Sequence, residues 1–286
     1  MLQYTALTAS IMANASDTGF PITMMVVACV EISKDKLQPF IIFDKEIEYN
    51  SQITLYPVKM QDILSFQQYQ QSLTVRKDAV FHEKEIIKMG YLDFIKYACR
   101  NIQLAKDYGM PFLPFYYDFA INMLQLACGN NARIEYNPST LDFTINGFPI
   151  TSSVFDDLRK IIILQNDIDF DIDEFINIDT VNALEKAREF ESKKNKEKAD
   201  IEDYIDSLAV ALKVTGEYIS GLPVRKFWRY IKRINKHEEY SACRSGQMSG
   251  LVTFKEPLSH WMTSIETDGR DSSLIADEEA VRNKIG

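Results

Sequence analysis

Four cysteines, three histidines, two tryptophans and no apolar run of membrane-spanning length are what 286 residues contain of the features that most often announce a function. Cys29, Cys99, Cys128 and Cys243 are scattered without paired spacing, so neither a disulfide framework nor a zinc ribbon is expected, and reduced intracellular thiols are the default. His82, His237 and His260 include no i, i+4 pair, which leaves a metal site short of donors. The longest apolar run, residues 22–30, ends at Glu31, well below the ~20 residues that cross a bilayer. No basic segment precedes an apolar stretch near the first residue, so no secretory signal is expected. A phosphate-cradling glycine loop is absent, and in Gly246-Gln-Met-Ser249-Gly250 the serine stands one position away from nucleophile-elbow spacing. His260 beside Trp261 is the one residue considered for catalysis, and packing is the favoured role there. No catalytic residue, metal ligand or cofactor is assigned, and the chain is read as a non-enzyme.

What is present is a sizeable apolar fraction, 46% of residues, enough to bury a real core. The net charge of −9 keeps the chain soluble and argues against duplex nucleic acid as its main partner. Its placement is uneven. Residues 1–150 carry 12 basic and 15 acidic side chains, 151–222 carry 9 and 17, 223–262 carry 8 and 3, and 263–286 carry 3 and 6. A basic patch directly after a strongly acidic stretch implies internal pairing or two complementary surfaces for partner subunits.

Hydrophobic periodicity predicts an α+β fold in three parts: an α+β domain over 1–150, a helical domain with an acidic loop and a basic helix over 151–262, and a flexible tail over 263–286. Short β-branched and aromatic runs at 22–32, 40–43, 46–49 and 53–58 read as three or four strands. Amphipathic helices are expected over 59–73, over 83–106 with Gly90 inside, and over 115–127 closed by Gly129. Alternation around Asn137-Pro138-Ser139-Thr140 and Asn146-Gly147 predicts a hairpin or three-stranded meander. A helix over 154–165 follows, with Ser153 and Asp156 as its capping pair. Asp167, Asp169 and Asp171 mimic calcium-loop spacing, but Ile172 replaces the turn glycine and Ile178 the closing glutamate, so a solvated acidic loop is expected. Thr180 can cap a charged, solvent-exposed helix to about Lys198.

The segment from Leu208 to Ser220 has the outline of a helix-turn-helix. Lys213 stands where the turn usually has glycine, Gly221 and Pro223 cut the would-be recognition helix, and the basic side chains fall on the helix after it. That helix, 223–236, sets Val224, Phe227, Ile231 and Ile234 on one face and Arg225, Lys226, Arg229, Lys232, Arg233 and Lys236 around the rest. The partner-binding set is Arg225, Lys226, Trp228, Arg229, Lys232 and Arg233, because Trp228 and Tyr230 add aromatic anchors of the kind interfaces favour. Leu258, Trp261 and Met262 are expected to cover the apolar face, making 200–262 one helical unit.

Four separated stretches carry a family resemblance: Leu55-Tyr-Pro-Val-Lys-Met60, Met89-Gly-Tyr-Leu-Asp-Phe94, the run from Phe155 to Asn166, and the run from Leu251 to Met262. Together they resemble structural and tail-assembly proteins of long-tailed bacteriophages of Gram-positive hosts, particularly baseplate components and tail assembly chaperones. The resemblance implies a non-catalytic protein of the virion, or of the host cytoplasm during assembly. Its partners would be other tail or baseplate subunits, with self-association as a further option and no membrane. The alternative is a nucleic-acid-binding accessory protein acting through 223–236.

Overall fold

The structure, a computed structural model, describes residues 32–170, 200–250 and 257–265. It is an α+β arrangement: helices enclose one two-stranded and one three-stranded antiparallel sheet, followed by a helical C-terminal part. α1 (Lys34–Ile42) leads into the hairpin β1 (Ile47–Glu48) and β2 (Thr54–Leu55), paired Ile47 to Leu55. Asn50 closes that turn, its Oδ1 accepting the Gln52 and Ile53 amides at 2.9 and 2.8 Å. A 3₁₀ turn (Met60–Asp62) opens α2 (Ile63–Tyr69), and a second (Gln70–Leu73) closes it, so the helix expected over 59–73 is present with tightened ends.

The helix expected over 83–106 is three pieces: α4 (Lys84–Lys88), α5 (Tyr91–Arg100) and α6 (Ile102–Asp107), preceded by the short α3 (Lys77–Val80). It is broken at Gly90 and at Asn101. A Cβ at Gly90 would lie 2.1 Å from Ser152 Oγ, so glycine is required for close approach to a neighbouring helix, and Lys77 Nζ donates to the Met89 carbonyl. Asn101 then ends α5 and begins α6, its side chain accepting the Leu104 amide at 3.4 Å. α7 (Tyr116–Cys128) ends at Gly129, φ +80°, as its spacing predicts. The meander β3 (Ile134–Tyr136), β4 (Phe143–Ile145) and β5 (Phe148–Pro149) turns between its last two strands on Asn146 and Gly147, both at positive φ, as that dipeptide favours.

α8 (Ser152–Asn166) is the centre of the molecule: Phe155, Leu158, Ile161, Ile162 and Ile163 are all buried, packed among α1 and α5. Its cap is Thr151, whose Oγ1 accepts the Val154 amide at 3.3 Å, and not the expected Ser153 pair. Buried polar side chains on α8 satisfy the backbone of earlier segments. Arg159 Nε donates to Leu73 O at 2.6 Å while its guanidinium lies 3.7 Å from the Tyr91 ring centroid. Gln165 Nε2 donates to Lys45 O at 3.1 Å, and Asn166 Oδ1 accepts the Val58 amide at 2.9 Å. The Tyr91 hydroxyl donates to Ser72 O and accepts from the Val75 amide, and burial pushes its pKa up to about 12.

The C-terminal part consists of α9 (Ile201–Leu212), α10 (Gly216–Ser220) and α11 (Val224–Met248). Asp200 and Asp203 form a capping box at the start of α9, and Lys213 ends it in the left-handed conformation, φ +56°. α11 is longer than expected, reaching Met248. Its start is stitched to the N-terminal part: Met60 N donates to Leu222 O and Val224 N to Val58 O, both at 2.8 Å. Leu208, Ile219, Val224 and Phe227 thereby join the same buried cluster as α5, α7 and α8.

Three further expectations are corrected. The strand at 40–43 is part of α1, because Leu37 and Ile41 bury one helical face despite Pro39 inside the helix. The strands at 46–49 and 53–58 shrink to two residues each. Phe227 is fully buried in the common cluster that joins the N-terminal core to Leu208 and Ile219, whereas Trp261 packs edge-on against His237, 4.9 Å between centroids, farther along α11, and Met262 is 67% exposed. Most of the strand expected at 22–32, the helix at 180–198 and Asp171 lie outside the described residues.

Three substitutions test this packing. Asn166→Ala strands the buried Val58 amide and should cost about 1–3 kcal/mol in urea denaturation. Phe227→Ala empties a fully buried ring site and should cost about 3–5 kcal/mol. Gly90→Ala should also destabilise, and adding Ser152→Gly should recover part of the loss by removing the clashing hydroxymethyl group, which would show as a Tm between those of the single variant and the wild type.

Candidate docking face

The cations of α11 follow from its sequence. Pro223 ends the extended entry with φ −59°, suited to a first turn, and the apolar positions 224, 227, 231 and 234 then fix the helix's rotation against the core. With Val224 and Phe227 turned inward, Arg225, Arg229 and Arg233 fall in one row at i, i+4, i+8, with Lys226 and Tyr230 beside them. The C-terminal end of α1 lies at one end of the row. Arg225 Nη1 donates to Ile41 O at 3.2 Å, and Lys226 Nζ pairs with Asp44 Oδ2 at 3.0 Å. Residues 257–265 lie along the other end, where Arg233 donates to the carbonyls of Trp261 and Thr263 and Lys236 to Ser264 O at 2.8 Å. Two ring contacts reinforce this strap: Trp261 on His237, and His260 on Tyr240 at 5.2 Å.

Between α1 and the strap is an open cleft of about 270 Å³ whose lining is Arg225, Lys226, Arg229, Tyr230 and Arg233 with Ile42 and Ile265 as apolar walls. Four of the six sequence-assigned residues therefore converge on one concavity. The other two do not line it. Trp228 is partly buried, edge-on to Tyr204 at 5.2 Å and Phe227 at 5.1 Å, where it joins α9 to α11. Lys232 is exposed outside the cleft lining. Ile42, Asp44 and Ile265 carried no signal in the sequence, since only the fold brings them within reach of α11.

Other chemistry finds less support among the described residues. No group of three or more His, Cys, Asp or Glu is placed to hold a metal. Burial pushes the Cys128 thiol up to about 12 and raises that of Cys99, so neither is a thiolate at neutral pH. His260 Nδ1 accepts the Met262 amide at 3.2 Å within the strap. A second concavity of about 440 Å³, between α6 and the start of α7, is lined by Ile102, Pro111, Pro114 and Phe115 and presents mostly apolar atoms. None of the described helices is long and apolar enough to cross a membrane.

The Lys226–Asp44 pair bridges α11 and the α1 end with side chains 28% and 20% exposed, so water screens it. Asp44→Asn should therefore lower stability by no more than about 1 kcal/mol in chemical denaturation.

Residues 193–266 match the family model of the YomV second domain, YomV being a phage-encoded protein of Bacillus. No curated protein and no solved structure matches the chain. The matched span contains α9, α10, α11 and the strap, so the part of the chain that carries the basic cleft is similar to a domain of a phage protein.

Proposed function

We propose that this chain is a non-catalytic phage tail or baseplate protein, structural or assembly-related, that acts by docking other subunits on the basic face of α11. The observation that carries the reading is the convergence of Arg225, Lys226, Arg229 and Arg233 on one open cleft of a chain whose net charge is −9. A cationic concavity on an otherwise acidic protein steers and orients an acidic partner surface, and flanking apolar walls supply the burial that charge alone does not. The match of 193–266 to a domain of a phage-encoded protein supports the phage setting, and the sequence resemblance to tail-assembly proteins supports the finer role.

The experiment separates docking from folding. The double reversal Arg229→Glu with Lys232→Glu leaves untouched the bonds by which Arg225, Lys226 and Arg233 hold the end of α1 and the strap. This double variant should keep the wild-type circular dichroism spectrum and melt within a few degrees of it, because surface charges contribute little to stability. Its recovery in gradient-purified phage particles, or in tail intermediates from the same preparation, should fall at least several-fold. Unchanged incorporation removes the α11 face from the mechanism. Submicromolar binding of duplex DNA at physiological salt, with a steep salt slope abolished by the same reversal, would replace docking with nucleic-acid binding.

A further inference from the structure

The two walls of the α11 cleft are anchored differently. α1 buries Leu37 and Ile41 in the common core, so its end cannot leave α11 without opening that core. The strap has no such anchor: none of residues 257–265 is buried, and Leu258, Trp261 and Ile265 are covered only in part. It is tied to α11 by hydrogen bonds and ring edges. Arg233 donates to the carbonyls of Trp261 and Thr263, the latter at 2.9 Å, and Lys236 donates to Ser264 O at 2.8 Å. Trp261 meets His237 and His260 meets Tyr240, both edge-on. A segment that buries so little apolar surface opens locally at far lower cost than the body it lies on.

All of these acceptors are neutral backbone carbonyls. A carboxylate in the same position makes a shorter bond between two charges, and a guanidinium fork can take both of its oxygens at once. The strap therefore offers Arg233 and Lys236 weaker acceptors than an acidic segment would. We propose that residues 257–265 are a displaceable cover: in the free chain their carbonyls occupy the acceptor positions of Arg233 and Lys236, and a carboxylate-bearing segment of a partner takes those positions by pushing the strap aside. This rests on the reading of α11 as a docking face and adds how its Arg233 end, filled in the free chain, is opened. Arg233 and Lys236 stand at i, i+3 on one side of the helix, so the displacing segment needs carboxylates about one helical turn, ~5 Å, apart. Opening is thereby conditional on a partner that supplies several carboxylates together, since an isolated anion replaces one bond and leaves the rest of the strap in place.

Binding of a fluorescein-labelled oligoglutamate peptide to the full chain, read by anisotropy at low salt, tests this. Trp261→Ala removes the ring that meets His237 and leaves Arg233 and Lys236 in place. With the cover loosened, the peptide should bind several-fold more tightly than to the wild type, at unchanged circular dichroism. Tyr240→Ala, which removes the ring that His260 meets, serves if Trp261→Ala folds poorly. In a Trp228→Phe background, saturating peptide should shift the emission of Trp261 to longer wavelength as its ring leaves His237. Oligoglutamine should do neither, and an equal response to it removes carboxylates from the recognition and overturns the proposal. Equal or weaker oligoglutamate binding by the loosened variant makes the strap a fixed wall and overturns the displacement. So does Trp261 emission that stays unchanged at saturating peptide, and so does a peptide that binds neither protein. The docking face is read separately, in particle recovery of the Arg229→Glu, Lys232→Glu variant. A loss there with no effect of Trp261→Ala on peptide binding keeps the face and discards the cover, and a response in neither assay discards both.

Discussion

The extended stretch from Val58 to Met60 is the joint on which the two parts of this molecule depend. Its amide at Val58 is held by Asn166 at the end of α8, its carbonyl at Val58 receives Val224, and its amide at Met60 reaches Leu222. One three-residue segment thus connects the central helix to the start of the basic helix, with every bond buried or nearly so. An unpaired buried amide there would cost about 1–3 kcal/mol, and the Asn166 side chain at the end of α8 removes that cost. Once that start is pinned, burial of Val224 and Phe227 decides the rotation of α11, and rotation decides which cations face the cleft.

The cations of α11 are divided between holding the fold and presenting charge. Arg225 and Lys226 bind the end of α1, and Arg233 and Lys236 bind the strap, so the two walls of the cleft are held by the same residues that make it basic. Positioning by partial use of the guanidinium leaves donors over, since arginine offers five in a fixed fork. The cationic groups that line the cleft are thereby held in place by the fold rather than left as a solvated row.

Much of the local structure was legible in the sequence. The glycine after α7, the Asn146-Gly147 turn and the polar-apolar alternation of β3 and β4 placed those elements close to where they lie, because each is governed by neighbours within a few residues. The stretch from Lys34 to Ile42 misled, since Pro39 and two adjacent isoleucines argue locally against a helix, and the burial of Leu37 and Ile41 against α8 overrides them. The break at Gly90 was misread for a different reason: its cause is Ser152, sixty-two positions away, and no window around Gly90 contains it.

The candidate site divides along the same line. The sequence by itself determined that this chain would carry a run of six cations without an intervening acid, on a helix with one apolar face, next to a strongly acidic stretch, because charge and period are properties of residue order. Only the tertiary structure decided that Arg225, Lys226, Arg229 and Arg233 share a cleft while Trp228 turns away to pack on Tyr204, and that Ile42 and Ile265 wall it. The physical reason is that a helix's orientation is set by what buries its apolar stripe, and Phe227 is buried in a cluster that draws on segments from both ends of the chain, which no stretch of sequence around α11 contains.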